Sequence, residues 1–114
     1  MIAKVFRQPR IKLPKHLAFI RQLRCVNCLD NTSTEAAHIR SADWSIGKPL
    51  TGNSIKPDDF YVVPLCSKCH RLQHEVGEMI FWDSCNDPIK IALALYAVSG
   101  DIDRADRIID AQMP

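Results

Sequence analysis

Residues 1–24 hold no acid at all, although they carry seven basic side chains: Lys4, Arg7, Arg10, Lys12, Lys15, Arg21 and Arg24. Other absences bound the chain more broadly. It has no apolar run near the ~20 residues that cross a bilayer, and no basic n-region followed by an apolar h-region. A cytoplasmic protein with no membrane partner is the expectation, in a compartment where thiols stay reduced and serve metals or catalysis more than disulfides. Five cysteines, an odd count, argue the same way. Internal repeats and low-complexity segments are also missing, which excludes solenoid and linker-like architectures.

At 114 residues with a net charge of +2, the chain fits one domain whose core lies near the lower limit of what burial alone stabilises. Its charge is unevenly spread, because residues 101–110 reverse the sign of the N-terminus with four Asp against Arg104 and Arg107. A basic arm beside a near-neutral body suits a polyanion such as nucleic acid; a solvated tail is the plainer alternative. Pro9 and Pro14 predict an extended arm over residues 1–14, and Leu17, Ile20 and Leu23 a short helix over 15–23. Strands are expected at 35–39 and, from β-branched and aromatic content, at 60–65, with Pro64 suited to an edge or bulge. Gly47, Pro49, Gly52 and Pro57 mark residues 41–59 as a long surface loop. A helix should run from Cys69 to Val76 and stop near Gly77, with MIFW at 79–82 packing on the core or opening another helix. Two further helices are predicted, one capped by Asn86 or Asp87 before Pro88 and one over 102–111. The expected division is an arm at 1–14, a metal-binding α+β domain at 15–86, and a helical extension at 87–114 packed on it.

The chemistry lies in two Cys-x-x-Cys pairs, Cys25/Cys28 and Cys66/Cys69. Zinc prefers a tetrahedron of thiolates or imidazoles, and two such knuckles complete one, tying distant segments of a small core together. The redox alternative normally uses a single pair. Cys85 is left over as a free thiol. Two histidines follow at once, His70 and His74, four residues apart and so on one face of a helix. Two imidazoles so placed can hold a divalent ion with open positions, or lie on a solvated face; His70 could also replace one cysteine on the zinc. His38 stands on the first expected strand, where pairing with the second would bring it to the surface that carries His70 and His74. His16 reads as an ordinary surface histidine.

Taken in order, CVNC, AAHIR and KPDDFYVVPLCSKCHRLQH resemble the HNH endonuclease superfamily, the ββα-metal or His-Me finger fold, over residues 25–82. The likeness is to small phage and prophage members, including recombination-associated nucleases. It implies an α+β protein with a ββα-metal core, a structural Zn2+ on Cys25, Cys28, Cys66 and Cys69, an N-terminal helix and two C-terminal helices. It also implies His38 as general base, His70 and His74 as ligands of a catalytic Mg2+ or Mn2+ (Zn2+ or Ni2+ being acceptable to imidazole), and Asp59 or Asp58 as a supporting carboxylate. One position departs: many members carry a metal-binding His or Asp just before the base, and here it is Ala37.

The activity so implied is hydrolysis of a DNA phosphodiester, with His38 deprotonating water and the ion stabilising charge on the phosphate. Arg40, Lys48, Lys56 and Arg71 are candidate phosphate contacts or plain surface charges. Trp44 could wedge between bases or anchor its loop. Two rivals stand beside this reading. One is a catalytically inactive, zinc-stabilised nucleic-acid-binding module, which Ala37 favours. The other is an interaction module of a phage recombination or packaging complex that uses the C-terminal helices.

Overall fold

Proline at the first helical position pre-sets the backbone, and Pro14 does this for α1, Pro14–Ile20. The proline expected to extend the arm therefore begins a helix instead. In this computed structural model, which describes residues 10–51, 56–83 and 86–112, the order continues as β1 (Thr34–His38), β2 (Val62–Cys66), α2 (Ser67–Val76), α3 (Glu78–Phe81), α4 (Pro88–Ala97) and α5 (Ile102–Asp110). The fold is a small α+β one. Cys85 and the arm at residues 1–9 lie outside the described residues.

β1 and β2 pair antiparallel as a two-stranded sheet, with Thr34 opposite Cys66, Ala36 opposite Pro64 and His38 opposite Val62. Pro64 is tolerated because β2 is itself an edge strand. Its carbonyl accepts from Val26 N at 2.9 Å, which fastens the first cysteine knuckle to β2. All five residues of β2 are buried, so helices cover both faces of so narrow a sheet. Ile20, Leu23, Ile39, Val62, Val63, Leu65, Leu95 and Ile109 share one core, and the two C-terminal helices thus pack on the same body as the hairpin.

Caps explain where the helices start. Asp87 accepts from Ile89 N and Lys90 N ahead of α4, and Asp101 accepts from Arg104 N ahead of α5. Gly77, at φ 89°, turns the chain between α2 and α3 in a conformation that costs other residues more. The four-residue α3 cannot bury all of MIFW: Trp82 enters the core, while Met79 and Ile80 are 89% and 72% exposed. Glu78 on α3 accepts from the amides of Arg40 and Ser41 at 2.7 and 2.9 Å, holding the chain as it leaves β1. The segment after it is a loop with a single 3-10 turn at Trp44–Ile46 and an Asp43–Lys48 bridge. Trp44 is exposed there. No helix of the described residues is long and apolar enough to cross a membrane.

His16 is a correction to the sequence reading. It is buried, 4% exposed, with Nδ1 2.7 Å from Ser99 Oγ and its ring edge-on to Tyr96 at 5.1 Å. One turn of α1 packs on the end of α4, and a histidine there is enclosed whatever its polarity. Burial pushes its pKa down from the ordinary 6.5, and burial does the same to His38 against the opposing pull of Asp59. The unfolded chain then takes up protons that the folded one refuses. Stability contributed by these two neutral rings is therefore complete above pH about 6.5 and declines as pH falls below that value. Urea midpoints measured from pH 8 to 5 should drop on the acid side, and His16→Phe should flatten that slope relative to wild type. An unchanged slope would contradict burial of a neutral His16.

Candidate metal centre

The two knuckles meet at the hinge between sheet and helix. In the first, Cys25 N donates to Asp30 O and Leu29 N to Cys25 O, both at 2.8 Å, with Leu29 at φ 68° closing the turn. In the second, Cys66 ends β2 and caps α2, its sulfur accepting from Cys69 N at 3.4 Å. The four Sγ atoms lie within 4.8 Å of one another, and Cys28 and Cys66 are 3.7 Å apart. That separation is far too long for a disulfide, whose sulfurs sit about 2.05 Å apart. It matches the edge of a tetrahedron with metal–sulfur bonds of about 2.3 Å, roughly 3.8 Å. Cys25, Cys66 and Cys69 are buried and Cys28 is exposed, and Asn27 Nδ2 donates to Cys69 Sγ at 3.4 Å.

The acid–base character of the cluster shows what it lacks by itself. Burial pushes the Cys69 thiol up to about 12, helped by the neighbouring sulfurs. Burial also opposes ionisation of Cys66, but the Cys69 amide and the adjoining thiols outweigh it and its pKa falls. Crowding of sulfurs thus opposes ionisation of Cys28 and Cys69. A divalent cation is the group that lets all four ionise, so the donor set fits a metal such as zinc. Among the described residues this is the one cluster whose ligand atoms converge so closely.

The histidines divide between the two faces of β1. Successive strand side chains alternate, so Glu35 and Ala37 share one face and His38 takes the other. On the first face, His70 Nδ1 meets Glu35 Oε1 at 2.7 Å, and the His70 and His74 rings stand 4.8 Å apart on α2. Ala37, the position before His38, is fully buried and offers no ligand. On the second face, His38 Nε2 meets Asp59 Oδ1 at 2.9 Å. The three histidines expected on one surface therefore stand on two. Both sets reach β1, whose outer edge pairs with no strand among the described residues.

Asp59 is 2% exposed and heavily bonded: Arg10 Nη1 donates to Oδ1 at 3.0 Å and Leu13 N to Oδ2 at 2.8 Å. Burial opposes its ionisation, but these donors and His38 outweigh burial and hold its pKa below the usual carboxylate value. An ionised Asp59 can only accept, so His38 carries its proton on Nε2 and presents a bare Nδ1 lone pair. His38 Nδ1 makes no hydrogen bond among the described residues. Asp58, the neighbouring candidate, instead accepts from Ile11 N at 2.7 Å.

Two residues that sequence reasoning passed over belong to these sites. Glu35 is the acid that meets His70; strand parity with Ala37 was the signal that could have found it. Arg10 braces Asp59 from a segment read only as a basic arm. Of the candidate phosphate contacts, Lys56 and Arg71 are exposed and Arg40 is half-buried. Lys48 is not a surface contact: it is 1% exposed, because the Asp43–Lys48 bridge turns it inward under Tyr61.

The fold and cluster define a small α+β domain with a four-cysteine site that could hold a metal ion. Residues 3–84 match the model of the family described as protein of unknown function (DUF968), and the chain belongs to that family. No curated protein and no solved structure matches it.

Proposed function

We propose that this protein is a metal-dependent endonuclease of the HNH kind, hydrolysing DNA phosphodiester bonds on a zinc-stabilised ββα-metal core. The observation that carries the reading is His38: a half-buried, neutral imidazole oriented by a buried carboxylate, with Nδ1 left open to take a proton from water. Glu35, His70 and His74 supply one carboxylate and two imidazoles on the other face of β1, a donor set that accepts Mg2+, Mn2+, Zn2+ or Ni2+. Glu35 then stands in for the ligand that Ala37 lacks. DNA lying along the open edge of β1 would meet both groups. Lys56 and Arg71 would contact its phosphates.

A second reading, a zinc-stabilised nucleic-acid-binding module without catalysis, is favoured by the division of the histidines between two faces. Glu35 and His38 stand three positions apart on β1, roughly 10 Å along the backbone. Base and metal-bound phosphate meet across that span only if their side chains converge.

Supercoiled plasmid incubated with Mg2+, Mn2+ or Ni2+, and with EDTA, separates the two. Nicking that depends on the ion and falls by about 10²-fold or more in His38→Ala is the expected result. His74→Ala and Glu35→Ala should weaken the ion requirement, raising the Mn2+ concentration needed, with zinc content and circular dichroism unchanged. Absence of cutting with every ion, or equal cutting by His38→Ala, would leave the binding module as the better reading.

A further inference from the structure

Lys48 is the least expected residue of the core. Its ammonium donates to Ser41 O at 2.6 Å, reaches Pro49 O at 3.5 Å and stands 5.0 Å from the centroid of the Tyr61 ring. None of these partners is an anion, and no carboxylate lies within ion-pair distance of Lys48 among the described residues. A buried ammonium with carbonyls and a ring face in contact, and Glu78, Asp58 and Asp43 acting on it only from beyond ion-pair distance, keeps part of its desolvation cost. Burial accordingly pushes its pKa below the ordinary lysine value.

Lys48 lines a cleft of about 530 Å³, which it shares with Arg10, Thr51, Lys56, Asp58 and Tyr61. Its lining holds three cations and one carboxylate, Asp58, which accepts from the amide of Ile11; behind the lining, Asp59 pairs with Arg10, and Glu78 and Asp43 act on Lys48. Thr51 Oγ1 is buried with no hydrogen-bond partner, a donor that has nothing to donate to. Arg10 gives Nη1 to Asp59 and has its other guanidinium hydrogens to spare. The cleft is linked to His38 through Asp59, whose Oδ1 meets both Arg10 of the lining and the His38 ring.

We propose that this cleft, between the entry to α1 and the loop after β1, binds a phosphate group through Lys48, Lys56, Thr51 and Arg10. An anion there would neutralise the buried ammonium and accept from the orphaned hydroxyl. Both the phosphodiester of a nucleic-acid strand and a free phosphate have that chemistry. As a subsite of strand cleavage the proposal rests on the endonuclease reading; as a phosphate site it does not.

The test measures binding of inorganic phosphate to the full, metal-loaded chain, by calorimetry and by the thermal midpoint, against chloride at matched ionic strength. Wild type should bind phosphate and gain thermal stability with its concentration. Lys56→Ala and Thr51→Val, which leave the midpoint in chloride unchanged, should each weaken binding by roughly ten-fold. Lys48→Met should abolish the response while holding or raising the midpoint in chloride, because the buried charge is gone. A phosphate effect no larger than that of chloride, or equal in wild type and all three variants, would overturn the proposal. Competition by a short oligothymidylate assigns the site to a strand; phosphate binding without competition supports it as a site for free phosphate. Phosphate binding without plasmid nicking would sink the nuclease alone, and nicking without phosphate binding would sink the cleft alone.

Discussion

Stripping the metal from the four-cysteine site should unfold the protein. The sheet beneath it is only two strands of five residues, and an isolated pair of that size is at best marginal in water. The first knuckle is held to it by one backbone hydrogen bond, Val26 N on Pro64 O, by the burial of Val26, and by the sulfur cluster itself. Structural zinc contributes on the order of 10 kcal/mol in small zinc-finger peptides at neutral pH, comparable with the whole stability of ~5–15 kcal/mol usual for a domain. The chain should bind one zinc by elemental analysis, and a strong chelator should abolish its cooperative urea transition. Cys66→Ser, at a buried sulfur that also caps α2, should do the same without chelator. Cys28→Ser, at the exposed corner, should lose zinc affinity while disturbing the packing less. A native urea midpoint after complete metal removal would mean that the core holds itself together and that the cluster serves another purpose.

The cysteine cluster was legible because its information is local. A Cys-x-x-Cys spacing dictates a turn, and two such turns offer one tetrahedron wherever the rest of the chain runs. The hairpin was legible for a related reason: FYVVPL has no favourable helical pattern, and observed β2 differs from the expected strand by a shift of one or two residues. What the sequence could not disclose depends on which element covers which face. Parity put Glu35 with Ala37 and His38 opposite, but only the docking of α2 on the first face decides that His70 meets Glu35. His16 follows the same rule. Nothing in PKHLAFI distinguishes a buried histidine from an exposed one until α4 delivers Ser99 and Tyr96 to it. The burial of Lys48 was hidden because charge normally predicts exposure, whereas the Asp43–Lys48 bridge sets it on the inward side of its loop. Met79 and Ile80 show the converse, apolar residues left outside while Phe81 at the end of the same four-residue helix packs on the core and Trp82 just beyond it enters the core.

Asp59→Asn should separate the structural use of this carboxylate from its use in catalysis. Asp59 joins three segments: residues 10–13 through Arg10 and the amide of Leu13, β1 through His38, and the loop on which it stands. Truncation to alanine would strand a buried amide and a half-buried guanidinium, a loss of about 3–5 kcal/mol for breaking a buried ion pair from one side. The asparagine variant is subtler. Its one carbonyl oxygen keeps the bond to Leu13 N, and its amide then points N–H at His38. A ring that had been donating from Nε2 must accept there instead, which moves the proton to Nδ1, the atom that was open to water. The base is thereby lost, and Arg10, which donates to the same oxygen, loses its acceptor as well, so the urea midpoint is read alongside nicking. The same inversion behind a catalytic histidine in serine proteases lowers turnover by about 10⁴, and a fall of roughly 10³-fold or more in plasmid nicking is expected here. Nitrogen-15 shifts of the His38 ring should report the exchange of tautomers directly, and zinc content should stay at one per chain. If nicking survives in Asp59→Asn while the tautomer changes, His38 is not the group that activates water. If neither changes, the His38–Asp59 contact does not set the state of the ring.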